Sequence, residues 1–258
     1  MSQSGTNGAE APDGIITAAL LVIGDEILSG RTKDKNIGYI AEYLTDIGID
    51  LREVRVVPDV EEEIISALNA VRARYTHVFT TGGIGPTHDD ITADCVAKAF
   101  GVSIDVDERA VAMLLERIKK EDLNEARLRM ARIPQGATLI ENSVSKAPGF
   151  SIGNVHVMAG VPAIMQAMLD ALSPKLQTGK KMLSRTVAAG AKEGDVAKPL
   201  GEVQKQFPDV SIGSYPTFEE GVGPTTNLVL RSRDETRLAE AEAAVRRMLA
   251  DVHTLIAR

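Results

Sequence analysis

The sequence has no tryptophan, an aromatic content of only 3% and a single cysteine, Cys95. One thiol cannot close an internal disulfide or supply a multi-cysteine zinc site, and this usage points to a reducing, cytoplasmic location. No run approaches the roughly 20 apolar residues of a membrane-spanning helix, so we expect no membrane contact. The net charge of −7 and the scarcity of aromatic rings argue against a nucleic-acid partner, which would require a basic stripe.

The chain of 258 residues is longer than the usual domain of about 150, which predicts one large domain and a smaller companion. Residues 1–14 lack an apolar run and a cationic start, so they are predicted to be a disordered tail rather than a signal peptide. A polar stretch at 173–181 is the candidate linker. The predicted domains are therefore 15–175 and 180–258.

Apolar strand-like runs alternate with helical periods from Thr17 onward, which predicts an α/β domain with a mostly parallel sheet. The predicted strands are 18–23, 49–57, 77–80, 138–140, 150–152 and 155–159. The predicted helices are 35–47, one beginning at Asp59, one ending at Phe100, 108–119, 124–131, and one from Pro162 to Leu172. Beyond the linker, strands at 183–188, 210–213 and 227–231 and helices at 196–206 and 235–256 predict a small α+β unit.

The carboxyl ends of parallel strands are the usual ligand-binding edge of such a sheet. Gly24, Asp25 and Glu26 follow the first strand, Asp59 follows the second, and a glycine-rich loop follows the third. These segments are expected to converge. Asp25 and Glu26 serve either as ligand contacts or as ordinary solvated loop residues.

The glycine-rich loop reads Thr81-Gly82-Gly83-Ile84-Gly85-Pro86-Thr87-His88-Asp89-Asp90. Its glycines allow close backbone approach, and the amides of the following helix can bind a phosphate. The adjacent carboxylates of Asp89 and Asp90 would repel that anion unless a divalent cation lies between them and the phosphate. The alternative is structural, with Thr87 or Asp89 simply capping the helix.

Asp59 also has two interpretations that the sequence leaves open. Glu62 stands three residues after it, which is the spacing of a helix capping box. Asp59 also lies at the strand end where ligands bind, so it is a candidate site residue. The two roles are compatible.

The strings TTGGIGPTHDDIT and GDEILSGRTKDKN, with KAPGF, MAGVP and IGSYP downstream, resemble the molybdopterin-binding, MoaB/Mog-like domain family. The resemblance is to the branch containing the N-terminal part of competence/damage-inducible protein A, and to the N-terminal domain of eukaryotic FAD synthase. It implies a three-layer α/β fold and a small-molecule ligand, a nucleotide or a pterin. The expected assembly is a homo-oligomer, either a dimer or a trimer.

The resemblance also implies roles for individual residues. Asp59 and Asp90 are the implied catalytic positions and metal ligands, and Asp89 is a further candidate metal ligand because its carboxylate adjoins that of Asp90. The implied phosphate cradle is Thr81, Gly82, Gly83, Gly85 and Thr87. Further implied or candidate ligand contacts are Gly24, Asp25, Glu26, Lys146, Gly149, Gly160 and Val161.

Two functions follow from the resemblance. The first is a hydrolase that cleaves the pyrophosphate of a nucleotide such as ADP-ribose or FAD with Mg, Mn or Co. The second is a non-catalytic module that binds molybdopterin or the molybdenum cofactor. Asp89 occupies the place where the cofactor-synthesis enzymes commonly carry an arginine, and losing that cation favours the metal-dependent nucleotide site.

Overall fold

The structure, a computed structural model, describes residues 14–219 and 223–256. Residues 1–13, nearly all of the predicted tail, lie outside the described residues. The chain divides into two units, Met1–Gly179 and Lys180–Arg258, with the boundary inside the polar stretch at 173–181. In the described part of the chain, no helix is long and apolar enough to cross a membrane.

The first unit alternates strands and helices as the sequence predicts. Its strands are β1 (Ile16–Ile23), β2 (Ile49–Val57), β3 (His77–Thr81), β4 (Ile104–Val106), β5 (Arg132–Pro134), β6 (Thr138–Ile140), β7 (Gly149–Ile152) and β8 (Val155–Met158). Its α-helices are α1 (Asp25–Leu28), α2 (Asn36–Asp46), α3 (Glu61–Arg72), α4 (Thr92–Phe100), α5 (Glu108–Leu115), α6 (Glu125–Arg129) and α7 (Pro162–Leu172).

The main sheet has six strands in the order β2-β1-β3-β8-β7-β6. The pairs β1–β2, β1–β3 and β3–β8 are parallel, whereas β7 runs antiparallel to both of its neighbours. Four strands therefore end at the same edge of the sheet. The prediction of a mostly parallel sheet is confirmed.

Strand β1 shows why the sheet carries helices on both faces. Ala19, Leu21 and Ile23 belong to a core shared with α3, α4 and α5. The alternate residues Ala18, Leu20 and Val22 belong to a second core, shared with α2 and α7. A strand buried on both faces must be apolar throughout, so the continuous apolar run of β1 already indicates the three-layer arrangement. Cys95 is buried in the first of these cores, as expected, and burial raises its pKa to about 12.

The segment between α4 and β6 differs from the prediction. The helices predicted at 108–119 and 124–131 are shorter, and β4 and β5 form an antiparallel pair that the sequence did not reveal. Strands of three residues are too short to show an alternating pattern. Their pairing sets Ile104 opposite Pro134, 30 positions apart in the chain.

The second unit contains β9 (Leu183–Ala188), α8 (Glu193–Gln206), β10 (Ser211–Glu219), β11 (Gly223–Ser232) and α9 (Glu235–Ile256). Its sheet is antiparallel in the order β10-β11-β9. Leu228 and Leu230 of β11 share a core with Val245 and Leu249 of α9. The predicted α+β unit is confirmed, with both hairpin strands longer than expected.

Two buried histidines connect neighbouring strands of the main sheet. Nδ1 of His77, in β3, lies 3.1 Å from Nε2 of His156, in β8, and Nε2 of His77 lies 3.0 Å from the Gln177 carbonyl oxygen. Nδ1 of His156 lies 2.9 Å from the Ser151 hydroxyl. Because a carbonyl can only accept, His77 donates from Nε2 and both Nδ1 atoms accept. Burial lowers the pKa of both histidines, that of His156 to about 3, so the chain holds them neutral.

Candidate functional site

The site is assembled from the ends of β1, β2, β3 and β8, which are adjacent and parallel. The amide of Gly24 donates to the Val57 carbonyl at 3.1 Å, joining the ends of β1 and β2. The amide of Gly82 donates to the Met158 carbonyl at 3.2 Å, joining the ends of β3 and β8. The expected convergence of these segments is therefore present.

Asp59 is the central carboxylate of this edge. Its Oδ2 atom accepts a 3.0 Å hydrogen bond from the amide of Asp25. The pKa of Asp59 is raised, first by partial burial and then by the negative charges of Asp25, Glu26 and Asp89, while the Asp25 hydrogen bond acts in the opposite direction. The charges of three further carboxylates thus act on Asp59 at the strand ends.

The capping-box interpretation of Asp59 is wrong. Helix α3 begins at Glu61 after Val60, and its N-cap receives no side-chain hydrogen bond. The Asp59 carboxylate instead accepts from the amide at the start of α1, 34 positions away. The Asp59 carboxylate is therefore not used as a helix cap and lies among the strand ends that form the candidate site.

Two glycines of the loop are required by close packing. A side chain at Gly82, where φ is 102°, would place its Cβ 2.1 Å from the Ile23 carbonyl oxygen at the end of β1. A Cβ at Gly83, where φ is 65°, would lie 2.1 Å from Thr92 Oγ1. The loop backbone therefore lies directly against the end of β1 and against Thr92, the first residue of α4.

Asp90 closes the loop on itself. Its Oδ2 atom accepts hydrogen bonds from the Thr87 amide at 2.8 Å and the Thr87 hydroxyl at 2.5 Å. Helix α4 begins two residues later, at Thr92, and its N-cap has no side-chain hydrogen bond. The alternative in which Thr87 or Asp89 caps this helix is therefore wrong.

Asp89 and His88 are exposed at the tip of the loop. The pKa of Asp89 is lowered, chiefly by the neighbouring Thr87 side chain, with a smaller contribution from the charge of Arg129. Asp89 is therefore a carboxylate at neutral pH, and its charge reaches both Asp59 and Arg129.

A small cavity, open to solvent, lies against the glycine-rich loop. Gly83, Gly85 and Asp90 contribute to its wall together with Arg129 of α6. Nη2 of Arg129 donates to the Asp90 carbonyl oxygen at 3.2 Å. Arg129 is not predictable from the sequence as a site residue, because nothing in the α6 sequence indicates that it meets a loop 39 positions earlier.

The cavity also contains an ion pair. Arg132 of β5 binds both carboxylate oxygens of Asp94, at 2.7 and 2.6 Å. Such a paired arrangement satisfies both charges within the wall. Met130, Ile133 and Phe150 supply apolar surface.

The remaining predicted contacts are distributed as follows. Gly160 lies at the site, where an added Cβ would meet Gly82 Cα at 3.3 Å, and its carbonyl accepts from Asn36 Nδ2 at 2.8 Å. Val161 follows it and is exposed. Gly149 is buried in β7, where a Cβ would lie 2.3 Å from the Val157 carbonyl oxygen, so its place is explained by strand packing. Lys146 forms a 2.6 Å ion pair with Glu116.

Asn36, the first residue of α2, lies beside Gly160, to whose carbonyl its Nδ2 atom donates. Asp34 caps this helix, because its Oδ1 accepts from the amides of Asn36 and Ile37. Asn36 is buried, and its Oδ1 atom has no hydrogen-bond partner in the described part of the chain. An unpartnered amide oxygen beside Gly160 is a hydrogen-bond acceptor for a ligand donor.

Among the described residues, no group of three or more His, Cys, Asp or Glu side chains is arranged to hold a metal ion. Asp59, Asp89 and Asp90 thus do not form a ready-made protein cage. Magnesium-like ions commonly bind through one or two carboxylates and complete their shell with water and substrate phosphates. The crowded carboxylates around Asp59 are compatible with that mode of binding.

The sequence profile of a family described as a probable molybdopterin binding domain matches residues 19–178. The chain belongs to this family. A second profile, described as the middle domain of FAD synthase, matches residues 181–255. The first match spans the six-stranded sheet and the site, and the second spans the α+β unit.

Sequence similarity to the relatives covers most of the chain. A protein of Pyrobaculum calidifontis is 35% identical over 240 residues, covering 89% of this chain and 91% of its own length. A protein of Thermoplasma acidophilum is 32% identical over 240 residues, covering 91% and 92%. The solved structure of the protein CinA with unknown function, also from Thermoplasma acidophilum, is 37% identical, with a TM-score of 0.58, over 62% of this chain and 96% of that one. The MoaB/Mog-like, CinA-like fold of the molybdopterin-binding domain is thereby confirmed.

Proposed function

We propose that this molybdopterin-binding-family protein hydrolyses the pyrophosphate bond of a nucleotide of the ADP-ribose or FAD class with a divalent metal ion. One observation carries the proposal. Asp59 accepts a hydrogen bond from the Asp25 amide among the charges of Asp25, Glu26 and Asp89, and three amides of the neighbouring glycine-rich loop have no acceptor among the described residues. A divalent cation bound to a diphosphate would satisfy both the carboxylates and the free amides of the loop.

The loop supplies the anion-binding half. The amides of Gly83, Ile84 and Gly85 have no hydrogen-bond acceptor within the described residues. Backbone amides of this kind, next to the N-terminus of α4, bind phosphate oxygens without a change in loop conformation. They would hold and orient the diphosphate at the ends of β1 and β3.

The carboxylates supply the cation-binding half. Asp59 and Asp90 would hold Mg, Mn or Co together with oxygens of the diphosphate, and Asp89 would contribute from the loop tip. A divalent ion in such a place neutralises phosphate charge and activates the phosphorus toward attack. The Asp25 amide holds the Asp59 carboxylate in place, and Thr87 holds that of Asp90.

The reaction consumes one water molecule. An oxygen–phosphorus bond forms, the bond from that phosphorus to the bridging oxygen breaks, and one proton is released as the two phosphate monoesters separate. ADP-ribose would give AMP and ribose 5-phosphate, and FAD would give FMN and AMP.

A panel experiment tests this proposal. Purified full-length protein is incubated with ADP-ribose, FAD and other dinucleotides, each with Mg, Mn, Co or a chelator, and the products are separated by chromatography. We expect monophosphates only when a divalent ion is present. No turnover of any compound with any ion would overturn the hydrolase proposal.

The second candidate is a module that binds a molybdopterin or the molybdenum cofactor without turnover. The profile matched by residues 19–178 favours it, because that family is described by molybdopterin binding. The buried and unpartnered Asn36 Oδ1 also suits a heterocycle that donates hydrogen bonds. Tight binding of molybdopterin in calorimetry, with no turnover in the panel, would select this candidate.

A further inference from the structure

The cavity behind the glycine loop contains a positive charge that the proposed function has not used. Arg129, near the end of α6, lines this cavity, and its Nε atom is buried without a hydrogen-bond partner in the described part of the chain. No carboxylate of the described residues lies within ion-pairing distance of its guanidinium group. A buried donor of this kind costs free energy unless a ligand satisfies it.

The other charged side chains of the cavity already have hydrogen-bond partners within the protein. Arg132 and Asp94 neutralise each other through two hydrogen bonds. The Oδ2 atom of Asp90 is turned into the loop, where Thr87 donates to it twice. Of the side chains that line the cavity, Arg129 is thus the cation left without a partner carboxylate.

Backbone donors face the same space. Gly83, Ile84 and Gly85 line the cavity, and their amides have no acceptor among the described residues. Ala93 and Asp94, in the first turn of α4, also line it, and their amides are likewise free of protein acceptors. A guanidinium group opposite several amides matches the oxygens of a phosphate, because each oxygen accepts more than one hydrogen bond.

We propose that Arg129 and the amides of the glycine loop form a phosphate-binding subsite in this cavity. The Arg129 contact with the Asp90 carbonyl anchors the guanidinium group to the loop itself. This proposal depends on the proposed function in one respect: the natural ligand of the subsite is taken to be one phosphate of the substrate diphosphate.

Inorganic pyrophosphate is the direct probe, titrated without metal and again with Mg²⁺. Calorimetry on the full-length protein compares the unsubstituted chain with Arg129→Gln, Arg129→Lys and Arg127→Gln. Arg127 is the matched control, because it lies on α6, contacts the Asp122 carbonyl and does not line the cavity. We expect Arg129→Gln to raise the dissociation constant for pyrophosphate at least fivefold and Arg127→Gln to change it by less than twofold. Arg129→Lys should give a dissociation constant between those of the unsubstituted chain and Arg129→Gln.

A labelling experiment on the unsubstituted protein removes any dependence on how the variants fold. Pyrophosphate should slow phenylglyoxal modification of Arg129 and leave that of Arg127 unchanged, as read by mass spectrometry. Equal effects on both arginines, or no protection, would overturn the subsite. So would a loss under fivefold in Arg129→Gln, an equal loss in Arg127→Gln, or no pyrophosphate binding by the unsubstituted chain.

Neither measurement involves turnover. Failure of the dinucleotide panel alone would therefore remove the hydrolase proposal and leave the subsite standing. Turnover in the panel without Arg129-dependent pyrophosphate binding would overturn the subsite and leave the hydrolase proposal standing.

Discussion

The backbone amide of Asp25 donates a 3.0 Å hydrogen bond to Oδ2 of Asp59, joining the segments that follow β1 and β2. This contact fixes a carboxylate at the ligand-binding edge of the sheet while the charges of Glu26 and Asp89 remain close to it. Like charges are not gathered in this way to stabilise a fold, because their repulsion opposes folding. The arrangement instead favours the binding of a cation.

Replacing Asp59 with asparagine should abolish metal-dependent turnover and leave the fold intact. The amide oxygen can still accept from Asp25, so we expect the free energy of unfolding to change by less than about 1 kcal/mol. Turnover in the dinucleotide panel and thermal unfolding test this together. Glu62→Gln is the control, because Glu62 is exposed on α3 and the capping box is not formed. Activity of Asp59→Asn equal to that of Glu62→Gln would contradict the prediction.

Asp90→Asn should also abolish turnover while retaining much of the phosphate binding. The asparagine oxygen can accept from the Thr87 amide, so loop closure persists and stability should change by well under about 2 kcal/mol. The lost negative charge is what would hold a divalent ion against the diphosphate. Calorimetry with ADP-ribose, with and without metal, run beside the turnover assay, checks this. Full activity of the variant would remove Asp90 from the mechanism.

Gly82→Ala should destabilise the first unit severely. The new Cβ would lie 2.1 Å from the Ile23 carbonyl oxygen at a φ of 102°, so we expect a loss of more than about 2 kcal/mol from overpacking and backbone strain. Gly38→Ala is the matched control, since Gly38 is exposed in α2 with nothing within 4 Å of an added Cβ. That change should stabilise the protein by about 0.5–1 kcal/mol. Urea denaturation measures both, and equal effects would contradict the packing argument.

Acidification should destabilise the protein through the His77–His156 pair. Burial lowers the pKa of both histidines, that of His156 to about 3, so the unfolded chain binds more protons than the folded one from about pH 6.5 downward. The contribution of the two neutral histidines to the free energy of unfolding is therefore fully present above about pH 6.5 and is lost as the pH falls. For His156 alone the loss between pH 6.5 and 5 should be about 1.5 kcal/mol.

Denaturation at several pH values measures this loss, with His156→Gln as the comparison. Glutamine does not titrate, so the variant should show a shallower dependence of unfolding free energy on pH than the unsubstituted chain. The interval stops at pH 5 to limit the contribution of carboxylates, which titrate lower. Identical pH dependence in both proteins would show that His156 does not carry the effect.

The local pattern of the sequence determined the elements of this fold and the edge at which its site lies. The continuous apolar run of β1 requires burial on both faces, and Gly101, at φ 66°, ends α4 as a glycine at that place predicts. The glycine-rich loop was recognisable from its residues, but it took the structure to show that Gly82 and Gly83 are required by positive φ and by packing against Ile23 and Thr92. The dimer or trimer, the metal and the nucleotide stay predictions.

Tertiary structure decided which polar groups became partners. The sequence next to Asp59 offers a capping box with Glu62, yet the carboxylate accepts from Asp25, and the sequence next to Thr92 offers caps that α4 does not use. Arg129 meets Asp90 only because α6 and β5 fold back beside the glycine loop. A side chain with one local and one distant partner binds whichever the packing of the backbone brings within about 3 Å, and that packing is set by core contacts spread over the whole domain.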